Sequence, residues 1–178
     1  MRLNNVIKMI IIGAVMSYLN CSVLNGPDDS LTLSKRPYIG NDLRLDGYYY
    51  HLNPDGYIDI EFLYENGICL DGSHVSPAGL PQLEEWFANG NYYQTAIQYK
   101  IGWGVFQIDS NAIKYEDWVP SDGGPLPVFR NSGVILNDTT FHILESERVN
   151  GANKGNVDLV YHFKQFSPKP DSANPYIP

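Results

Sequence analysis

Between Leu45 and Phe166 the chain breaks into eight strand-length runs, each closed by residues that reverse it. Leu45 to Leu52 ends at Asn53-Pro54-Asp55-Gly56, a strong turn sequence. Tyr57 to Glu65 alternates cleanly, with Ile58, Ile60, Phe62 and Tyr64 on one face and Asp59, Glu61 and Glu65 on the other. That is the period of a strand with one buried face and one facing water. Asn66-Gly67 is a hairpin turn leading into a third strand, Ile68 to Val75. Further on, Val128 to Leu136, Thr139 to Glu147 and Val157 to Phe166 repeat the pattern. A chain punctuated this way can pair each strand with its sequence neighbour, so the expected fold is all-β: an eight-stranded antiparallel up-and-down barrel. Closure also removes exposed strand edges. The alternative is a two-sheet β-sandwich of the same strands.

The centre of the chain is a long hairpin, expected over Thr95 to Ile108 and Ala112 to Pro120. Tyr99, Ile101, Trp103 and Val105 fall at every second position, and Gly102 and Gly104 leave the opposite face bare. Glycines on one side of a strand permit sharp curvature or close approach of another group. One segment changes period. Leu80, Leu83, Trp86 and Phe87 sit at helical spacing, with Pro81 suited to a first turn and Gly90 to a stop. One short helix, about Leu80 to Asn89, is therefore expected among the strands.

The N-terminus carries a different signal. Arg2 and Lys8 precede an apolar run, Met9 to Met16, too short to span a bilayer. Cys21 follows after the short, polar-tinged stretch Ser17 to Asn20, an arrangement that resembles a bacterial lipoprotein signal in which that cysteine is acylated. Residues 1–20 then read as the signal peptide and Cys21 as the lipid-attachment site. Turn-rich residues 21–44 read as a tether, 45–166 as the barrel domain and 167–178 as a Pro-rich tail. The implied location is the bacterial cell envelope, as an outer-membrane lipoprotein facing the periplasm or the surface. The formal charge of −8 argues against nucleic acid, which needs a basic surface.

Several stretches carry a resemblance. Leu45-Asp46-Gly47-Tyr48-Tyr49, Gly102-Trp103-Gly104, Trp118-Val119-Pro120, Asn137-Asp138-Thr139-Thr140-Phe141 and the run from Phe163 to Pro170 resemble small lipocalin-like lipoproteins of uncharacterised function from Bacteroidetes. The resemblance implies a calycin-type barrel on a lipid anchor, and brings no established activity with it.

No metalloprotease, serine-hydrolase, phosphate-loop or C-x-x-C motif is present, and no cofactor is implied. Glu116 and Asp117 are adjacent on a strand and point to opposite faces, while Asp59 and Glu61 read as solvent residues. If the loop Arg148 to Asn156 closes symmetrically about Ala152, His142 faces His162, Phe141 faces Phe163 and Ile143 faces Tyr161. Two imidazoles so placed are weak candidates for a shared metal ion or proton, and no third ligand is identifiable. Cys69 reads as a small buried hydrophobe. The aromatic residues Tyr49, Phe62, Trp103, Tyr115, Phe141 and Phe163 are the candidates to line a cavity, or else to fill a closed core. The expected function is a non-enzymatic, lipid-anchored binding protein for a small hydrophobic molecule or a glycan. The alternatives are a solid barrel that contacts another envelope protein, or a hydrolase whose residues the sequence does not assign.

Overall fold

A computed structural model describes residues 26–178. Asp, Asn and Gly at the ends of apolar runs reverse the chain where the sequence places them. Gly56 and Gly67 take the left-handed conformation at φ 87° and 84°, and at Gly67 a side chain would also collide with the Arg36 carbonyl. The strands between these turns are β1 (Gly47–Leu52), β2 (Ile58–Leu63), β3 (Ile68–Val75), β4 (Trp103–Asp109), β5 (Ala112–Trp118), β6 (Val128–Asn137), β7 (Thr140–Arg148) and β8 (Gly155–Gln165). Each pairs antiparallel with its neighbour, and β1 pairs with β8 to close the barrel. Closure depends on Gly47, where a Cβ would lie 2.0 Å from the Lys164 carbonyl oxygen.

Two helices separate β3 from β4: α1 (Leu80–Ala88) and α2 (Asn91–Ala96). The expected strand from Thr95 therefore begins only at Trp103. Gly90, left-handed at φ 79°, turns the chain between the helices. Tyr92 packs edge-on against Phe87 and Tyr93 donates to the Ala173 carbonyl, so tertiary contacts hold α2 against its strand-forming composition. Tyr99 and Ile101 are exposed beyond the sheet. Gly102, at φ 82°, is a turn into β4 rather than a curved strand position.

The largest departure concerns which face is which. Ile58, Ile60, Phe62 and Tyr64 lie on the outside of the barrel, and Glu61 points inward with only 6% exposure. The outer face is dry because the helices, Leu31 and Leu33, and the C-terminal tail cover it. Phe87 of α1 meets Phe62 at 4.9 Å, and Trp103 donates its indole N–H to the Ala96 carbonyl at 2.9 Å. Each large apolar side chain sealed there contributes about 1.5–3 kcal/mol.

The covering segments also revise the reading of residues 21–44 as a tether over their described part. Asp29 pairs with Arg148 at 2.6 Å, and Trp118 donates to the Asp29 carbonyl at 2.7 Å. The buried carboxylate of Glu116 accepts from the backbone N–H groups of Thr32 and Leu33, the Thr32 hydroxyl and the Arg130 guanidinium. Residues from about 28 to 38 thus form a strap along the barrel wall. The tail is pinned as well: Tyr64 donates to the Pro170 carbonyl, and Lys169 donates to the carbonyls of Leu45 and Leu63. No described helix is long and apolar enough to cross a membrane.

Candidate functional site

The barrel interior divides into a packed half and an open half. Tyr49, Leu63, Cys69, Phe106, Ile113, Phe141 and Ile143 fill the first, capped by Leu43. Their rings leave little space: Tyr49 and Phe141 lie 4.9 Å apart, and Phe141 stacks on Tyr161 at 4.9 Å. Beyond Tyr115 and Tyr161 the interior opens into a cup of about 420 Å³ at the end bearing the β5–β6 loop.

One wall of the cup is acidic. Glu61 on β2 stands opposite Asp71 on β3, Asp117 extends from β5, and Asp59 lies nearer the mouth. Tyr115, beside Asp117 on β5, Asn131 on β6, Ser146 on β7 and Tyr161 on β8 complete the lining. Gly104 makes the acidic wall possible. A Cβ there would lie 2.1 Å from the Glu116 carbonyl oxygen, 2.8 Å from Cys69 Sγ and 2.9 Å from the Asp117 Cβ. Two bulges shape the lining. The register of β2 on β3 shifts at Ile60/Glu61, with an extra residue on β3, and that of β6 on β7 shifts at Ser132/Gly133, with an extra residue on β7. In a regular strand, residues three apart point to opposite faces. The extra residue in each bulge brings Asp71 and His74 to the same cup, and lets Ser146 join Asn131 there although Ile143 also faces inward.

The electrostatics are unusual for a chain that neutralises its other buried acids. Glu61 Oε1 and Asp117 Oδ1 are buried without a hydrogen-bond partner. Burial, then the neighbouring Asp117 and Asp71 carboxylates, pushes the Glu61 carboxyl well above its usual range. Burial, reinforced by Asp71 and Glu116, pushes Asp117 up to about 8. Glu116, facing outward one residue earlier, shows the opposite outcome. Burial raises it, but the Thr32, Leu33 and Arg130 donors outweigh that and leave it below the ordinary carboxylate value. At the rim His74 donates through Nδ1 to Asp59 at 2.6 Å and stacks on Tyr57 at 4.7 Å; the Asp59 hydrogen bond raises its pKa. His51, 7% exposed on the interior side of β1, contacts the Val160 carbonyl through Nδ1 and leaves Nε2 without a partner.

The six aromatic residues singled out by sequence separate into three groups. Tyr115 lines the cup. Tyr49 and Phe141 fill the packed half, and Phe163 adjoins it, 5.4 Å from Tyr49 and beneath the Arg44 guanidinium. Phe62 and Trp103 lie outside the barrel under the helices, so neither reaches the interior. The expected histidine pair is also corrected. His142 stands opposite Val160, and His162 opposite Thr140. The β7–β8 connection closes on Asn150 and Gly151 rather than on Ala152, an offset of three residues, and the register shift at Ile143/Glu145 takes one back to leave two. Phe141 consequently faces Tyr161 and Ile143 faces Leu159, and His142 Nε2 meets Asp158 at 2.7 Å. Cys69 is a free, fully buried thiol, while Cys21 lies outside the described residues.

Glu61, Asp71, Asp117, His74, Asn131 and Ser146 were not singled out as site residues. Gly72, in the middle of a strand run, was a usable signal for the bulge that brings Asp71 and His74 together. Comparison with protein-family models, with curated proteins and with solved structures finds no match.

Proposed function

We propose that this chain is a non-enzymatic binding protein of the bacterial envelope, anchored by a lipid on Cys21, whose barrel holds a small polar ligand of glycan type in the cup. The observation that carries this reading is the cup itself: about 420 Å³, with unpartnered buried oxygens of Glu61 and Asp117 among its lining residues. Cups of this size suit small ligands, and a few convergent polar groups set their orientation. A polar occupant is favoured over a hydrophobic one, because carboxylates, an amide and a hydroxyl line the walls beside the tyrosine rings.

The strap supports a specific relation to the anchor. Asp29 N–H donates to the Leu126 carbonyl, and Asp28 accepts from Leu126 N–H, which sets the start of the strap beside the β5–β6 loop at the cup end. Gly26 is five residues beyond Cys21, a reach of at most roughly 17 Å. An acylated Cys21 would therefore keep the cup close to the membrane surface.

Native purification followed by denaturation and mass spectrometry of released small molecules tests the reading. A stoichiometric polar ligand, lost on purification of the Asp117→Asn variant, is the expected result. An empty protein that also binds nothing in a calorimetric glycan series would overturn it. Tryptophan fluorescence is a poor reporter here, since Trp103 and Trp118 both pack on the outside of the barrel.

A further inference from the structure

The cup's charge is one-sided. Asp59, Glu61, Asp71 and Asp117 all line it; of these His74 at the rim meets Asp59 alone, and no lysine or arginine lines it among the described residues. Glu61 is 6% and Asp117 9% exposed, yet Glu61 Oε1 and Asp117 Oδ1 have no donor. Buried polar atoms are nearly always paired, so two unpaired acceptors on residues that line one cup mark where donors belong. Elsewhere this chain meets buried or half-buried acids with cations: Arg148 on Asp29 and Arg130 on Glu116. A metal ion does not fit the need. Among the described residues no group of three or more His, Cys, Asp or Glu side chains is arranged to hold one, and the cup is far larger than a single ion.

We propose that the cup recognises a primary ammonium group carried by a small organic molecule, with Glu61 and Asp117 accepting its N–H bonds. This rests on the reading of the cup as a ligand site and names the chemistry of its occupant. An ammonium supplies three donors and a full positive charge, which answers both open oxygens at once. Tyr115 and Tyr161 present rings beside it, a surface suited to cations and to the C–H faces of a sugar. Asn131 and Ser146 supply hydrogen bonds for hydroxyls on the rest of the molecule. Amino sugars satisfy every part of this lining, and the ammonium headgroup of a phospholipid satisfies the acidic wall.

Isothermal titration calorimetry with glucosamine and glucose, which differ by one amine, tests the inference. A parallel arm uses vesicles of phosphatidylethanolamine against phosphatidylcholine, whose nitrogen has no N–H to donate. Glucosamine is expected to bind at least tenfold more tightly than glucose. Glu61→Gln and Asp117→Asn, both close in shape to the native side chains, should each weaken glucosamine at least tenfold, with circular dichroism unchanged. Binding heats should also vary with buffer ionisation enthalpy, because carboxyls held neutral in the empty cup release a proton when the ammonium arrives. Preference for phosphatidylethanolamine vesicles would identify a lipid headgroup as the source, and glucosamine binding without vesicle preference a free amine; either supports the inference. Equal affinity for glucosamine and glucose would overturn the ammonium inference while leaving the cup as a glycan site. Failure of glucosamine and of phosphatidylethanolamine vesicles to bind, with a neutral glycan bound, would do the same. Failure of all of them, with nothing released from native protein, would overturn the cup reading itself.

Discussion

Replacing Asp117 by asparagine should make the protein more stable while disabling the cup. The native carboxyl has an ordinary value near 3.8 and is pushed up to about 8 in the fold. At pH 7 the fold therefore holds it protonated more than three pH units above where it ionises in the unfolded chain. At ~1.4 kcal/mol per unit that costs up to about 4 kcal/mol. An asparagine carries no such charge, although its amide still needs partners, and leaving one unmet takes back about 1–3 kcal/mol. The net gain expected at pH 7 is thus about 1–3 kcal/mol, or a rise in Tm of roughly 3–10 °C for a domain of this size.

The sign of the pH dependence follows from the same shift. A carboxyl whose value is raised by folding contributes its full share of stability below about 4, and that share is lost as the pH rises toward 8. Wild type should fall in stability across that window, and Asp117→Asn should fall less. Glu61, Asp71 and His74 share the cup with Asp117, and Glu116 adjoins it in sequence, so part of the slope remains with them. Urea denaturation from pH 4 to pH 8.5, monitored by far-ultraviolet circular dichroism, measures both curves. If the two variants lose stability in parallel, or if Asp117→Asn is less stable at pH 8, the carboxyl is not held neutral by the fold and the reasoning fails.

The strap gives an opposite expectation. Glu116→Gln removes a buried charge that meets Arg130 and two backbone N–H groups, and should cost about 3–5 kcal/mol. Limited proteolysis should then cut within residues 31–35, where wild type resists. Because Glu116 is held below its ordinary value, its contribution is present above about 4.5 and fades as the pH falls further, the reverse of Asp117. Gly104→Ala places a methyl 2.1 Å from the Glu116 carbonyl oxygen and should lower stability by more than about 3 kcal/mol, read as loss of soluble yield or of the urea transition. Cys69 is fully buried and its thiol is pushed well up by burial and then by Glu61 and Asp117. It should react with a disulfide reagent only as fast as the protein unfolds, and rapid labelling of folded protein would contradict its placement.

Turn residues and strand-length alternation were enough to read a closed eight-stranded meander, because each depends only on neighbours in sequence. Which side of β2 faced inward did not follow from alternation. The pattern of Ile58, Ile60, Phe62 and Tyr64 shows that one face is dry, and an eight-stranded barrel offers two places to be dry. In this chain the outer one is sealed by α1, α2, the strap and the tail, none of which the local period of β2 can report. Once the apolar stripe is assigned to the outside, the alternation that read Glu61 as solvent-facing instead forces it inward. The adjacent pair makes the same point more sharply. Glu116 and Asp117 were legible as pointing to opposite faces, but both faces proved to be buried. On one, Arg130 and the strap meet the charge, and the acid is an anchor. On the other, no side chain of the described residues donates to Asp117 Oδ1, and an acid kept at a cost to stability is better explained by a ligand than by the fold.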